Sequence, residues 1–201
     1  MNYKMIGKFI GKILLVEAVF MLPAYAISLY YHEEEAVRAL LITMVITLLT
    51  GGVMVAMTRG TRKGFHAKEG MVCVGIRWIV LALFGALPFF FSGAIPHYVD
   101  ALFEIVSGFT TTGASILPEV ESMPYGLLYW RSFSHWLGGM GVLVFLLAVS
   151  SGNERSKGFT MHILRAESPG PQVGKLVPRM KQTAEILYVL YIILTVLNVI
   201  F

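Results

Sequence analysis

A run of small and hydroxylated residues, residues 110–115, has the residue types in this chain that are best suited to bind a cation. Its three threonines add hydroxyl oxygens to the backbone carbonyls, and Gly113 permits backbone angles that a side chain forbids, so successive carbonyls can point the same way. Carbonyl oxygens that replace the water shell of an ion form the filters of potassium channels. The predicted ion-binding residues share such oxygens and are Thr110, Thr111, Thr112, Gly113 and Ala114.

A short apolar segment, His97–Phe109, precedes this loop. It is too short to cross a bilayer, since crossing takes about 20 apolar residues. We expect a half-helix from about Tyr98 to Phe109 that enters the membrane from outside, followed by an irregular strand that returns. Non-helical backbone survives at membrane depth only where protein buries it or where it lines a water-filled path. The alternative interpretation is an ordinary Ser/Thr/Gly turn after a surface helix.

The half-helix would direct unpaired carbonyls and the negative end of its dipole at the membrane centre, which favours a cation there. Acidic residues near the predicted outer mouth would raise the local cation concentration. These predicted vestibule residues are Asp100, Glu119 and Glu121.

The composition indicates that the bilayer is the solvent of this chain. Hydrophobic residues make up 56% of the 201 residues and charged residues 14%, and the mean hydropathy is +0.71. A soluble domain usually carries about 25% charged residues, so a cytosolic enzyme and a disordered tail are excluded. The single cysteine, Cys73, excludes an intramolecular disulfide scaffold. No nucleophile–base pair or metal cluster can be assembled from the sequence, and we predict that the chain is not an enzyme.

Five segments have the length and apolarity of a transmembrane helix. They are Ile10–Tyr30, Ala36–Met57, Met71–Ser92, Tyr125–Val149 and Ala184–Phe201. If these spans alternate in direction, fourteen of the sixteen Lys and Arg residues fall on one side and most acidic residues on the other. The positive-inside rule then places the N-terminus in the cytoplasm of a multi-pass protein of the inner or plasma membrane. The predicted fold class is an all-α membrane protein with about five transmembrane helices, one re-entrant pore half-helix and a filter loop.

For several further side chains in the predicted spans, we expect a structural role. Arg131 lies where it either snorkels outward or pairs with Glu104 on the half-helix, and small residues of the fourth span, Ser134 and Gly138 among them, favour close packing. Glu17 lies within the first span, where an ionised group is costly, so we expect interhelical pairing or a neutral form. Trp130 is expected to anchor the span at the membrane interface.

The run from Ala101 to Ser115 resembles the first pore loop of the TrkH-type potassium uptake proteins, members of the Trk/Ktr/HKT superfamily of K⁺ transporters. Residues 130–132 (Trp-Arg-Ser) and 136–141 (Trp-Leu-Gly-Gly-Met-Gly) resemble the helix that follows it in that family, and residues 167–171 (Glu-Ser-Pro-Gly-Pro) resemble its cytoplasmic connector. The resemblance implies K⁺ uptake through a filter, with K⁺ at Thr111 and Thr112 and no organic cofactor.

The same resemblance implies four tandem pore units, of which this chain contains the first, and we interpret the chain as an N-terminal fragment. The predicted organisation is a membrane hairpin with a basic cytoplasmic loop (1–70), a helix–pore loop–helix unit (71–150), a cytoplasmic connector (151–183) and the first helix of a second unit (184–201). The alternative function is a non-conducting structural or regulatory membrane subunit that binds a partner.

The partners implied by the resemblance are a cytoplasmic nucleotide-binding regulator of the TrkA type and, for the complete protein, a second copy in a homodimer. The sequence contains neither a Walker loop nor a Rossmann fingerprint, so nucleotide control would come from another subunit. We expect contact with the lipid bilayer and none with nucleic acid.

Overall fold

The computed structural model describes residues 3–58, 67–141 and 180–200, and all regular secondary structure in these ranges is helical. The helices are α1 (Tyr3–Phe20), α2 (Leu22–Tyr30), α3 (Glu34–Met57), α4 (Ala67–Gly85), α5 (Leu87–Phe91), α6 (Tyr98–Phe109), α7 (Tyr125–Met140) and α8 (Met180–Ile200). The predicted all-α class is therefore confirmed.

Among the described residues, three stretches of helix are long and apolar enough to cross a membrane: Tyr3–Tyr30, Glu34–Met57 and Val72–Phe91. They correspond to the first three predicted spans. The fourth predicted span is helical through Met140, and its residues 142–149 lie outside the described residues, as do residues 151–179 of the predicted connector. The fifth corresponds to α8, whose apolar stretch is Tyr188–Asn198.

Two of these spans are interrupted at a proline. Pro23 lies in the first turn of α2, after a break at Met21, and Pro88 lies in the first turn of α5, after a break at Ala86. Proline has no backbone N–H and its ring clashes with the preceding turn, so the regular helix is interrupted just before each proline. At the second break the Gly85 carbonyl accepts a hydrogen bond from the ring N–H of Trp130, at 2.9 Å.

The chain divides into two compact units, residues 1–62 with 75–139 and residues 63–74 with 140–201. In the first unit α1 packs closely against α3, because two glycines meet at their crossing. A Cβ atom on Gly51 would lie 2.8 Å from the Gly11 carbonyl oxygen, and one on Gly11 would lie 2.9 Å from the Gly51 oxygen. Small residues that let two backbones approach are the usual basis of helix association in lipid. In the second unit, α8 exposes most of its apolar side chains, among them Ile186, Leu190 and Ile200.

Replacing Gly51 by alanine is expected to destabilise this helix pair by about 1–3 kcal/mol, the usual cost of overpacking. The neighbouring Gly52 has no atom within 4 Å of the position of an added Cβ, so Gly52→Ala is the matched control and should change stability by less than about 1 kcal/mol. Thermal unfolding of both variants in detergent measures the difference. Equal melting temperatures would contradict the close contact.

Candidate ion-binding site

The predicted half-helix is present with the expected bounds, as α6 from Tyr98 to Phe109. One face is buried and carries Ala101, Ile105 and Phe109, while Val99 and Phe103 on the other face are exposed. A helix of twelve residues with such a face needs neighbouring helices to cover it. The end of α6 is therefore fixed by packing, and with it the start of the loop.

A Schellman motif ends the half-helix. The Thr112 N–H donates to the Ser107 carbonyl at 3.0 Å and the Thr111 N–H to the Gly108 carbonyl at 2.9 Å, which are the two bonds that define this motif. The Val106 carbonyl also accepts from the Thr110 N–H. The expectation that α6 ends in unpaired carbonyls is thus wrong for these three, because the loop folds back to satisfy them. The dipole of the helix is unaffected.

The loop is held in an unusual backbone conformation. Thr111 has a φ of 56° and Gly113 a φ of 77°. Glycine adopts the left-handed region freely, but a β-branched residue there is a genuine outlier. Strain of this kind persists only where the surroundings impose it, and it clusters at functional sites.

Side-chain hydroxyl groups connect the loop to itself and to α6. The Ser107 hydroxyl donates to the Ala114 carbonyl at 2.6 Å, and the Thr110 and Thr112 hydroxyl oxygens lie 2.8 Å apart. The Ala114 carbonyl is therefore turned toward the half-helix. All six residues of the predicted loop, 110–115, are exposed, so the loop is not packed inside the described part of the chain.

A buried carboxylate fixes the return strand of the loop. Glu104 lies on α6 with a fully buried side chain and accepts hydrogen bonds from the Ser115 hydroxyl, at 3.0 and 3.1 Å, and from the Ile116 N–H, at 3.1 Å. It also forms an ion pair with the guanidinium of Arg131 on α7. The expected pairing of Glu104 with Arg131 is confirmed.

This arrangement compensates the buried charge of Glu104, whose removal from water would otherwise be costly. A buried carboxylate needs both a counter-charge and hydrogen bonds to its remaining lone pairs. Arg131, whose side chain is 14% exposed, supplies the first, and the loop itself supplies the second. The loop geometry and the ion pair thus depend on each other.

Helix α7 packs directly against the end of the half-helix through small residues. The Cα of Gly108 faces Ser134, and the Cα of Gly138 faces the backbone of Phe109, where an added Cβ would lie 2.8 Å from the Phe109 carbonyl carbon. The expected close packing by Ser134 and Gly138 is confirmed, and the neighbour is the element that carries the loop.

One expectation for a single residue is wrong, and one of the two alternatives for another is absent from the described residues. Trp130 is fully buried and does not anchor an interface, because the helix break before Pro88 offers its ring N–H the Gly85 carbonyl. Glu17 is buried, and neither of its carboxylate oxygens accepts a hydrogen bond within the described residues. It lies beside Gly85, whose added Cβ would come 3.1 Å from a Glu17 oxygen. The interhelical pairing expected for Glu17 is absent there, and the neutral form stays a prediction.

Among the described residues, one of the three predicted vestibule residues lines an acidic cleft. Glu121 lines a cleft of about 490 Å³ together with the three consecutive glutamates that precede and begin α3, Glu33, Glu34 and Glu35. Asp100 lies in the first turn of α6 and Glu119 is exposed in the return segment; neither lines this cleft. The acidic residues around Glu121 belong to segments that the span prediction places on the same side of the membrane.

Two residues with structural roles at the site were missed by the sequence analysis. Ser107 is one position in an apolar helix, and nothing in the sequence distinguishes its hydroxyl from any other. Glu33 accepts hydrogen bonds from the first two backbone N–H groups of α7, Tyr125 and Gly126, at 2.5 and 3.1 Å. The signal that points to it is Pro124, which precedes α7 and has no side-chain oxygen to cap the helix.

In the part of the chain that the structure describes, all regular structure is helical and three spans are apolar, which is typical of integral membrane proteins. A half-helix that ends in an oxygen-rich loop is typical of ion transporters among them. Comparison with known proteins gives the family. Residues 36–201 match the TrkH family, described as cation transport proteins, and the chain belongs to this family. The family consists of transporters, which confirms that the chain is not an enzyme.

Its relatives include the Trk system potassium uptake proteins TrkH of Halomonas elongata, with 37% identity, and of Escherichia coli K12, with 34% identity, each over 98% of this chain. The crystal structure of the potassium transporter TrkH from Vibrio parahaemolyticus is 30% identical, with a TM-score of 0.75 over 98% of this chain and 38% of that one. The chain spans 40% of the length of the two curated relatives.

Proposed function

We propose that this chain is the first pore unit of a K⁺ uptake transporter and that residues 110–114 supply part of its selectivity filter. The observation that carries the proposal is the strained, exposed loop at the end of α6, whose return strand is hydrogen-bonded to the buried carboxylate of Glu104. Two relatives are named potassium uptake proteins, and this supports K⁺ as the ion.

The loop has the chemistry that a dehydrated alkali cation requires. Its exposed residues carry peptide carbonyls and threonine hydroxyls, and the negative end of the α6 dipole points at it. Position 111 is a threonine with a φ of 56°, where glycine would be less strained. We therefore place K⁺ at Thr111 and Thr112, with Thr110 and Gly113 beside it. Ala114 contributes less, since its carbonyl is already bonded to Ser107.

The wider organisation of the protein follows from the same proposal. Residues 71–150 form one of four pore units, residues 1–70 a preceding hairpin, residues 151–183 a cytoplasmic connector, and residues 184–201 begin the next unit. The N-terminus lies in the cytoplasm, and the acidic residues Asp100, Glu119 and Glu121 lie on the outer side, where they attract cations. A TrkA-type regulator on the cytoplasmic side and a homodimer of the complete protein complete the assembly.

Replacing Gly113 by valine in the complete transporter tests the filter. A side chain at φ 77° forces the backbone of the loop to change, so we expect discrimination between K⁺ and Na⁺ to fall by about tenfold, equivalent to about 1.4 kcal/mol. The measurement is the ratio of K⁺ to Na⁺ uptake, together with growth on limiting K⁺, in cells that lack other K⁺ uptake systems.

Gly93 provides the matched control. It has a φ of 72°, and, as at Gly113, an added Cβ would meet no atom within 4 Å, but it lies in the turn between α5 and α6. Gly93→Val should therefore cost similar backbone strain and leave selectivity unchanged. Wild-type selectivity in Gly113→Val, at wild-type protein levels, would refute the filter assignment.

A further inference from the structure

The N-terminus of α7 is capped by a residue more than 90 positions away in the chain. The first four N–H groups of a helix have no partner within the helix, and they are usually satisfied by a side-chain oxygen of the preceding residue. Here that residue is Pro124, which has none. The two carboxylate oxygens of Glu33 take its place, accepting from Tyr125 and Gly126.

The contact is electrostatically favourable and is supported by packing. A carboxylate at a helix N-terminus stabilises the positive end of the dipole. The rings of Tyr31 and Tyr125 stack beside it, with centroids 4.3 Å apart. The Cα of Gly126 lies against α2, where an added Cβ would come 2.6 Å from the Ala24 carbonyl oxygen. The start of α7 is thus fixed on the N-terminal hairpin, α1–α3.

Glu33 differs from the glutamates that follow it. Glu34 and Glu35 are exposed and lie 3.2 and 3.8 Å from the guanidinium of Arg38, one turn further along α3. Glu33 is half-buried and directed at α7. The three glutamates are adjacent in the chain and carry the same charge, but only Glu33 of the three connects the start of α3 to α7.

The position of α7 along its axis decides whether the loop is held. Arg131 on α7 neutralises Glu104, which in turn binds Ser115 and the Ile116 N–H. Two turns further along α7, Gly138 allows α7 to touch the Phe109 backbone. A shift of α7 by a fraction of a turn would therefore disturb both contacts with the end of α6.

We propose that Glu33 is a positioning residue for the ion-binding loop: it fixes the start of α7 on the N-terminal hairpin and thereby sets where Arg131 and Gly138 meet the half-helix. This inference rests on the proposed function, because it gives the hairpin a part in selectivity. Glu33 touches no ion and acts through α7 alone.

The test uses Glu33→Ala in the complete transporter, with Glu34→Ala as the control of equal charge change. Loss of a helix cap should speed hydrogen exchange of the Tyr125 and Gly126 amides by about fivefold to tenfold. Discrimination of rubidium, a K⁺ surrogate, from Na⁺ should fall by about threefold or more at equal protein levels, the loss expected from a small displacement of the loop. Glu34→Ala should change neither quantity.

Glu33→Gln keeps one acceptor oxygen and should give intermediate values, which supplies a milder variant if the alanine protein does not fold.

The outcomes separate this inference from the proposed function. If Gly113→Val loses discrimination but Glu33→Ala does not, the positioning role is overturned and the filter assignment stands. Unchanged exchange at Tyr125 and Gly126 overturns the cap itself. If Gly113→Val keeps wild-type discrimination, the proposed function fails, and the positioning role fails with it, while the exchange rates still decide whether Glu33 holds α7.

Discussion

Replacing Glu104 by alanine is expected to abolish K⁺ uptake and to destabilise the protein by about 3–5 kcal/mol, the cost of breaking a buried ion pair by removing one partner. The substitution leaves the Arg131 guanidinium without its counter-charge and the Ser115 hydroxyl and Ile116 N–H without their acceptor. Ser115 and Ile116 then lose their bonds to α6, and of the side-chain bonds only that of Ser107 to the Ala114 carbonyl still ties this part of the loop to the helix. Thermal unfolding of the chain in detergent and K⁺ uptake by the complete transporter measure the two effects.

A double variant distinguishes the ion pair from the support of the loop. Glu104→Leu combined with Arg131→Met removes both charges and should recover a large part of the lost stability, since an apolar replacement of a buried pair is often neutral. Uptake should stay low, because the Ser115 hydroxyl and Ile116 N–H remain unbonded. Glu34→Ala, which removes an exposed carboxylate, should cost less than about 1 kcal/mol. Wild-type uptake in the double variant would show that Glu104 does not hold the loop.

Replacing Gly138 by leucine is expected to have an effect of similar size. At this position even a Cβ would overlap the Phe109 backbone, and a backbone cannot rotate away as a side chain can. Either α7 separates from α6 or the end of the half-helix moves, and both outcomes distort the loop. We expect loss of uptake and a stability cost of about 3 kcal/mol, the upper part of the range for overpacking.

Gly75 on α4 is the matched control for this substitution. It also lies within a helix, but an added Cβ there would meet no atom within 4 Å. Gly75→Leu should leave both thermal stability and uptake close to wild type. If Gly138→Leu behaved in the same way, the close packing of α7 on the half-helix would be disproved.

Local sequence patterns were sufficient to predict the element that carries the site. A dozen apolar residues between two longer spans gave the bounds of α6, because segment length alone separates a half-helix from a span. The start of the irregular loop at Thr110 followed from small, hydroxylated residues with a glycine, which disfavour continued helix. The spacing of Gly138 and Ser134 predicted a closely packed face, since helix periodicity is a local property.

The partners of the side chains were decided by tertiary structure. Glu33 caps α7, Trp130 donates to the Gly85 carbonyl, and Glu104 accepts hydrogen bonds from the return strand. These partners are fixed by the way in which the helices pack together. Charge suggested the pairing of Glu104 with Arg131, but nothing in the sequence indicated that Ser115 and Ile116 would join it. Composition and spacing determined that this chain is a helical membrane protein with an oxygen-rich loop after a half-helix. The shape of that loop was decided by its hydrogen bonds to α6 and by the packing of α7 on α6, because hydrogen-bond geometry depends on three-dimensional distances that residue order alone does not encode.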